Sequence, residues 1–166
     1  MFRSRYFNLM EVVFIRGKRA GFIKEPLIDF HKKKIIGFKL SSYDFIQKSI
    51  NVMKEDIVSF QENMVIKNTS RGEHLSFKEL KGMDIIDIKG NMIGMLEDFI
   101  FFENSFIIVA AVVSSGLISN YTHGKRVLLM EELQLGDRNI LWIKSSENIK
   151  FTSMPHKVLG KEGGCH

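Results

Sequence analysis

The chain has very little cysteine and proline. Its 166 residues include one cysteine, Cys165, and two prolines. One thiol cannot form an internal disulfide, so the fold must be held together by its core, which is usual in a reducing compartment. We therefore expect a cytoplasmic protein whose stability does not depend on cross-links.

Metal ligands are also scarce. Cys165 and His166 would supply at most half of a tetrahedral zinc site. Asp84, Asp87 and Asp98 could approach one another around a hard cation, but the alternation of a strand places Asp84 and Asp87 on opposite faces. We expect no bound metal and no cofactor.

Long apolar runs and targeting segments are missing too. Residues 1–8 lack the apolar stretch of a signal peptide, so we expect no export. The one stretch long enough to resemble a membrane span, residues 99–118, is interrupted by a polar turn at 103–105, and its counterpart earlier in the chain contains a histidine and three lysines at 31–34. A β-hairpin fits both stretches, and a membrane span fits neither.

Motifs for catalysis are absent. Hydrolysis or group transfer needs a nucleophile, a base and an orienting group brought together, and no spacing in the chain suggests such an assembly. His31, His74 and His123 are scattered in predicted turns and loops. The glycines of residues 17–21 are not followed by the helix pattern that a phosphate-binding loop requires. We expect no enzyme, with a ligand- or metal-binding barrel as a distant alternative.

What the chain does contain is a strand pattern, clearest between residues 84 and 115. Ile86 and Ile88 alternate with charged residues, which is the period of a half-buried strand. Gly90 supplies the positive φ of a tight turn. Gly94 lies within the next strand and predicts a bulge or a sharp bend there. With a third strand at 106–113, the segment predicts three antiparallel strands.

The same pattern occurs 73 residues earlier in the chain. Gly17 and Gly21 align with Gly90 and Gly94, and the apolar positions around them match as well. After an insertion of three residues the match resumes and includes Asn139, whose counterpart is also an asparagine. The sequence therefore predicts one structural unit used twice.

The order of these features resembles the PRC-barrel domain: strand, glycine, three residues, glycine, strand with an acidic residue, hairpin and short acidic turn. The resemblance covers about Leu9 to Lys67 and Gly82 to Lys144. It implies an all-β fold of two tandem small PRC-barrel-like β-barrels related by internal duplication. The predicted boundaries are residues 1–70 for the first unit, 71–150 for the second and 151–166 for a disordered tail.

Four places depart from the shared pattern. Pro26 has no backbone N–H to donate, unlike the residue at the same position of the second copy. It therefore predicts a strand edge or a bulge at that point. Residues 76–79, Ser-Phe-Lys-Glu, predict a capping box that opens a single helical turn. Residues 42–53 predict a short helix or an irregular crossover, and the polar residues 116–127 predict a mobile loop.

Charge differs between the two units. Residues 1–72 carry 14 Lys and Arg against 7 Asp and Glu, whereas residues 73–149 carry 7 against 11. The candidate partner-binding residues flank two turns of the basic unit: Arg16, Lys18, Arg19, Lys32, Lys33 and Lys34. They could bind RNA phosphates or an acidic protein surface, or they could simply solubilise hairpin tips and protect sheet edges. Exposed aromatic residues for base stacking do not adjoin them.

The resemblance implies a non-enzymatic adaptor that binds a protein partner. Similar barrels in the ribosome maturation factor RimM and in the H subunit of photosynthetic reaction centres dock on larger assemblies. We recognise neither the N-terminal domain of the first nor the membrane anchor of the second, so neither specific role is expected. Binding of RNA or a ribonucleoprotein through the basic unit is the alternative.

Overall fold

The computed structural model describes residues 2–7, 9–42, 50–102, 104–114 and 125–144. Three predictions concern segments that lie wholly or largely outside these residues: the helix or crossover after residue 42, the mobile loop with His123, and the tail with Cys165 and His166.

Strands make up most of the described chain. They are β1 (Phe2–Arg3), β2 (Glu11–Phe14), β3 (Arg19–Asp29), β4 (Lys34–Ser41), β5 (Ile50–Met53), β6 (Ile57–Phe60), β7 (Met64–Ile66), β8 (Asp84–Asp87), β9 (Met92–Phe101), β10 (Ile108–Ser114), β11 (Arg126–Leu129), β12 (Leu133–Leu135) and β13 (Asn139–Trp142). The described helical segments are one α-helical turn, α1 (Phe77–Leu80), and three 3-10 turns at Ser4–Phe7, Lys54–Asp56 and Met130–Glu132. The predicted all-β class is confirmed.

The strands form two sheets, one in each half of the chain. The strand order is β5-β4-β3-β2-β7-β6 in the first sheet and β11-β10-β9-β8-β13-β12 in the second, and the short β1 pairs with β9. Each order contains one parallel pair, β2 with β7 and β8 with β13. The two halves therefore share one topology, although within the described residues neither sheet closes into a barrel.

Irregularities of the two sheets recur at equivalent positions. The β2–β3 ladder shifts register between Val12 and Val13, and the β8–β9 ladder shifts between Ile85 and Ile86, the aligned positions of the second copy. A bulge disrupts a ladder and changes strand direction. Its repetition at aligned positions supports duplication of a whole structural unit.

Two glycines allow adjacent strands to approach closely. Gly21 and Gly94 have φ values of 144° and 153°. A Cβ atom on Gly94 would lie 2.5 Å from the carbonyl oxygen of Ser114, and one on Gly21 would collide in the same way with that of Ser41. These positions therefore require glycine both for backbone conformation and for space.

The β8 strand alternates as predicted, but Asp87 lies on its buried side. Ile85 and Asp87 are buried, while Ile86 is half-buried and Ile88 is exposed. Asp87 tolerates burial because its carboxylate accepts hydrogen bonds from the backbone N–H groups of residues 89 and 91, both at 2.9 Å. The carboxylate thus stabilises the turn at Gly90.

The two sheets are joined by a reciprocal pair of backbone hydrogen bonds. The N–H of Ile35 donates to the carbonyl of Phe106 at 2.9 Å, and the N–H of Ile108 donates to the carbonyl of Lys33 at 2.8 Å. Lys33 and Phe106 both have positive φ, 56° and 58°. Because Lys33 aligns with Phe106, and Ile35 with Ile108, the contact has approximate two-fold symmetry.

One hydrophobic core runs through both halves. Phe7, in the first 3-10 turn, is fully buried, and its ring lies 4.6 Å from that of Phe38 in the first sheet and 5.1 Å from that of Phe101 in the second. Phenylalanine rings therefore fill the interior, as expected for small β cores. Each half would bury little surface alone because it is so small, so a shared core contributes strongly to stability.

Two local predictions can be checked directly. The backbone N–H of Ser76 donates to the carboxylate of Glu79 at 2.7 Å, and the capping box opens the single turn α1 as predicted. Pro26 comes one residue after the register shift between Ile23 and Glu25, beyond the part of β3 that pairs with β2. The ladder therefore loses no β2–β3 hydrogen bond at the proline.

Gly94 lies against the neighbouring strand, whereas Gly90 lies in an open turn. The same substitution at the two positions is therefore expected to change stability by different amounts. Gly94→Ala is expected to lower the free energy of unfolding by roughly 2–5 kcal/mol, because the added Cβ clashes with backbone and strains φ. Gly90→Ala meets no atom within 4 Å and is expected to cost about 1–2 kcal/mol, from the positive φ alone. Urea denaturation of both variants measures the difference, and equal losses would contradict this account.

Candidate functional site

The candidate basic residues fall into two separate groups. Arg16, Lys18 and Arg19 are exposed around the turn between β2 and β3, whereas Lys32 and Lys34 are exposed around the turn between β3 and β4. The two turns lie at opposite ends of β3, a strand of 11 residues. The structure therefore does not bring the six predicted residues together into one patch.

Several of these cations already have local roles. Arg19 Nε lies 2.9 Å from Glu11 Oε1, and Lys32 Nζ lies 3.2 Å from Asp29 Oδ2. The backbone N–H of Lys32 also donates to Asp29 and, with the Lys32 side chain and charge, lowers the pKa of that carboxyl group although partial burial opposes the shift. Lys33 contributes its carbonyl to the junction between the sheets.

A cleft of about 360 Å³ lies where the two halves meet. Its lining comes from the N-terminal segment, β3, α1 and β9: Arg3, Ser4, Lys24, Glu25, Pro26, Phe77, Lys78, Lys81, Glu97 and Asp98. The lining mixes both charge signs, so it does not select a ligand of one charge.

The two buried carboxylates of the cleft are structural. Glu25 accepts a hydrogen bond from the backbone N–H of Lys78 at 3.0 Å, which anchors α1 to β3. Asp98, at the equivalent position of the second sheet, accepts from the backbone N–H groups of Ser4 at 3.1 Å and Phe99 at 2.8 Å. Glu25 and Asp98 thus each fix a connecting segment that lies outside the repeated sheets.

An exposed apolar surface lies on the outer side of the second sheet. Leu141, Ile86 and Met92 are neighbours across β13, β8 and β9. Ile143 and Ile88 follow at the same end of these strands. Ile88, Met92 and Ile143 are 59%, 60% and 43% exposed. We call these five residues the apolar face.

The first sheet has a different surface at the same place. The counterparts of the apolar face are Val13, Ile15, Arg19, Val65 and Lys67. Arg19 and Lys67 are exposed, and Arg19 is paired with Glu11. At this place the first sheet therefore carries two charged side chains beside apolar ones, whereas the five residues of the second sheet are all apolar.

Sequence reasoning missed the apolar face because the alternation of β8 was assigned without knowing which side is buried. The signal was present in the duplication itself. Met92 aligns with Arg19 and Ile143 aligns with Lys67, which are apolar-for-charged differences at exposed positions. A position that holds a charged residue in one copy is expected to be exposed in both copies. An apolar residue at that position of the other copy therefore indicates an exposed apolar surface.

The histidines and aspartates considered for chemistry lie apart. His31 and His74 are exposed, and His123 is outside the described residues. Asp84 is exposed, whereas Asp87 is engaged with its own turn. Within the described ranges, no three His, Cys, Asp or Glu side chains form a group that could hold a metal ion.

One buried carboxylate lies near the apolar face. Glu132 accepts a hydrogen bond from Trp142 Nε1 at 3.0 Å and forms an ion pair with Lys144. Burial by itself would raise the pKa of Glu132, but the hydrogen bonds from Lys144 and Trp142 and the charge of Lys144 outweigh it and lower the pKa below its ordinary value of 4.5. Glu132 therefore acts as an ionised structural group.

This arrangement predicts acid sensitivity. Because the folded-state pKa of Glu132 lies below the unfolded-state value, its stabilising contribution is present above about pH 4.5 and is lost as the pH falls through the folded-state pKa. Glu132→Gln should lower the free energy of unfolding at neutral pH by about 1–2 kcal/mol and flatten its decline in acid. Thermal melts over a pH series test this, with the exposed Glu131→Gln as control; wild-type pH dependence in Glu132→Gln would contradict it.

Comparisons with known proteins add no identification: no protein-family model matches the chain, and no curated protein matches it. Within the part of the chain that the structure describes, no helix is long and apolar enough to cross a membrane. The likeness to PRC-barrel domains therefore rests on the residue pattern.

Proposed function

We propose that the protein is a PRC-barrel-like adaptor that binds a protein partner through the apolar face. The observation that carries the proposal is the replacement of Arg19 and Lys67 of the first sheet by Met92 and Ile143 at equivalent exposed positions of the second. Adjoining apolar side chains exposed on one sheet surface are typical of interaction sites. The adaptor roles implied by the PRC-barrel resemblance agree with this.

Burial of the apolar face supplies a driving force for association. Complete burial of one Ile or Met side chain contributes about 1.5–3 kcal/mol, so covering three half-exposed side chains contributes several kcal/mol before the costs of association. The outer face of a sheet suits a helix or another sheet of a partner. Affinity and specificity would then depend on polar contacts at the rim.

The proposal assigns no catalysis. Among the described residues, three carboxyl groups have shifted pKa values, and all three pKa values are lowered because each group accepts hydrogen bonds that stabilise a turn or a side-chain network: Asp29, Glu79 and Glu132. A general acid at neutral pH needs a raised pKa instead.

The alternative of a ligand-binding barrel would use the cleft between the halves. A cytoplasmic location, which the single thiol favours, is part of the same proposal.

The apolar face can be tested by giving it the residues of the first sheet. Met92→Arg/Ile143→Lys should retain the fold, because the equivalent strands carry Arg19 and Lys67. Affinity capture from nuclease-treated lysate, quantified by mass spectrometry, should recover a reproducible protein partner with the wild type. Recovery should fall about tenfold or more with the variant, corresponding to a loss of at least about 1.4 kcal/mol of binding free energy.

The matched control is the reverse exchange in the first sheet. Arg19→Met/Lys67→Ile changes the same residue types at equivalent positions, so it should retain the partner. The adaptor proposal is wrong if the partner survives the change in the second sheet, or if both double variants lose it equally.

Binding of RNA by the basic half is a second candidate, favoured by the exposure of Arg16, Lys18, Lys32 and Lys34. Reversal of the three lysines of residues 32–34 to glutamate should weaken retention of RNA. It should also reduce the slope of log affinity against log salt by about 0.9 per lost phosphate contact, or less for single strands. Filter binding over a salt series measures both effects.

The control for this experiment matches the change in net charge. Reversal of Lys78, Lys81 and Lys89, three exposed lysines of the second half, should leave the salt slope unchanged. An unchanged slope after reversal of residues 32–34 would reject RNA binding at that turn.

A further inference from the structure

Two carboxylate oxygens of the cleft between the halves are not used by the described residues. Glu25 Oε2 accepts a hydrogen bond from the backbone N–H of Lys78. Asp98 Oδ1 accepts hydrogen bonds from the backbone N–H groups of Ser4 and Phe99 and from the Ser4 hydroxyl. The other oxygens, Glu25 Oε1 and Asp98 Oδ2, form no hydrogen bond or ion pair with the described part of the chain. Each side chain therefore keeps one oxygen beyond its structural role.

These two oxygens reach open space although their residues are buried. Glu25 and Asp98 are only 8% and 6% exposed, and both line the cleft. Among the described residues, only the Ser70 hydroxyl is a fully buried side-chain polar group without a hydrogen-bond partner. Glu25 Oε1 and Asp98 Oδ2 are therefore accessible from the cleft. Because a carboxylate in such a place is poorly solvated, it favours a positively charged hydrogen-bond donor.

The two carboxylates come from opposite halves of the protein. Glu25 lies in β3 and Asp98 lies at the aligned position of β9. An ammonium group can donate up to three hydrogen bonds. A ligand held by these oxygens would therefore bond to both sheets.

A metal ion fits the cleft less well than an ammonium group. Within the described ranges, no three His, Cys, Asp or Glu side chains group closely enough to hold a metal. A hard cation such as calcium takes about six to eight oxygen ligands. The two oxygens therefore favour an organic cation.

Unpaired lysines of the same cleft require the ligand to be anionic as well. Lys24, Lys78 and Lys81 are exposed, line the cleft and form no ion pair with the described residues. The third carboxylate of the lining, Glu97, is already paired with Lys125. Free lysines repel a ligand that carries only positive charge and attract one that also has an anionic group. The lining therefore suits a ligand with both charges.

The size and walls of the cleft define the rest of the ligand. Its volume of about 360 Å³ lies at the lower end of the range for small-molecule pockets. Pro26 and Phe77 form the apolar part of the lining. The ligand is therefore small, with an apolar group beside its two charges.

We propose that the cleft binds a small zwitterion of the amino-acid class. Its ammonium group donates to Glu25 and Asp98, its carboxylate lies against the lysines, and its apolar side chain packs on Pro26 and Phe77. The proposal goes beyond the adaptor function and uses a different surface, since none of the five residues of the apolar face lines the cleft.

Calorimetric titration of the full-length chain tests the ligand class, with leucine and phenylalanine as probes. Both should bind saturably. N-acetyl-leucine lacks the ammonium group, leucinamide lacks the carboxylate, and putrescine carries two ammonium groups without a carboxylate. Each of these three should bind about tenfold or more weakly than leucine, because a hydrogen bond to a charged group is lost or a lysine is left unpaired.

Isosteric variants test the residues. Glu25→Gln and Asp98→Asn keep an oxygen that accepts the structural hydrogen bonds but remove the negative charge. Each should weaken leucine binding about tenfold or more and leave the weak binding of N-acetyl-leucine unchanged. Replacement of Lys24, Lys78 and Lys81 by glutamine should weaken leucine but not leucinamide. The matched control is Glu131→Gln, an exposed carboxylate outside the lining of the cleft, which should bind leucine as the wild type does.

Three results would overturn the zwitterion site. The first is a wild-type chain that binds neither leucine nor phenylalanine at millimolar concentration. The second is N-acetyl-leucine or putrescine binding as tightly as leucine, and the third is unchanged leucine binding in both Glu25→Gln and Asp98→Asn. If Asp98→Asn does not fold, Glu25→Gln and the ligand series on the wild type decide. Absence of amino-acid binding would leave the adaptor proposal standing, because the apolar face is tested with a different double variant.

Discussion

The fold depends on the junction between the two halves. Reciprocal hydrogen bonds link Ile35 to Phe106 and Ile108 to Lys33, so the hairpin turns of the two sheets pair with each other about an approximate two-fold axis. Phe7 then packs between rings of both sheets. A sheet of this size has a small core, so on its own it would be only marginally stable. The junction joins two marginally stable units into one core of the size of a domain. This shared core allows the second sheet to keep apolar side chains on its surface.

Interior and surface have diverged to different degrees in the two copies. Positions that set strand geometry, such as Gly21 and Gly94, are identical because any Cβ there meets the backbone of the adjacent strand. Positions on the outside, such as Arg19 and Met92, differ in charge and polarity without changing the topology. Physical constraint therefore explains what the copies share. Differences at exposed positions are explained instead by what each surface contacts.

The sequence predicted the class, the duplication and most strand positions, because strand periodicity and turn glycines are local signals. It did not predict which side of β8 is buried. Burial of Asp87 depends on hydrogen bonds from Lys89 and Asn91, which form only once the turn has closed. The basic residues were predicted individually, but their separation by the length of β3 depends on tertiary structure. The apolar face was missed because its recognition requires knowing which side of β8 is buried.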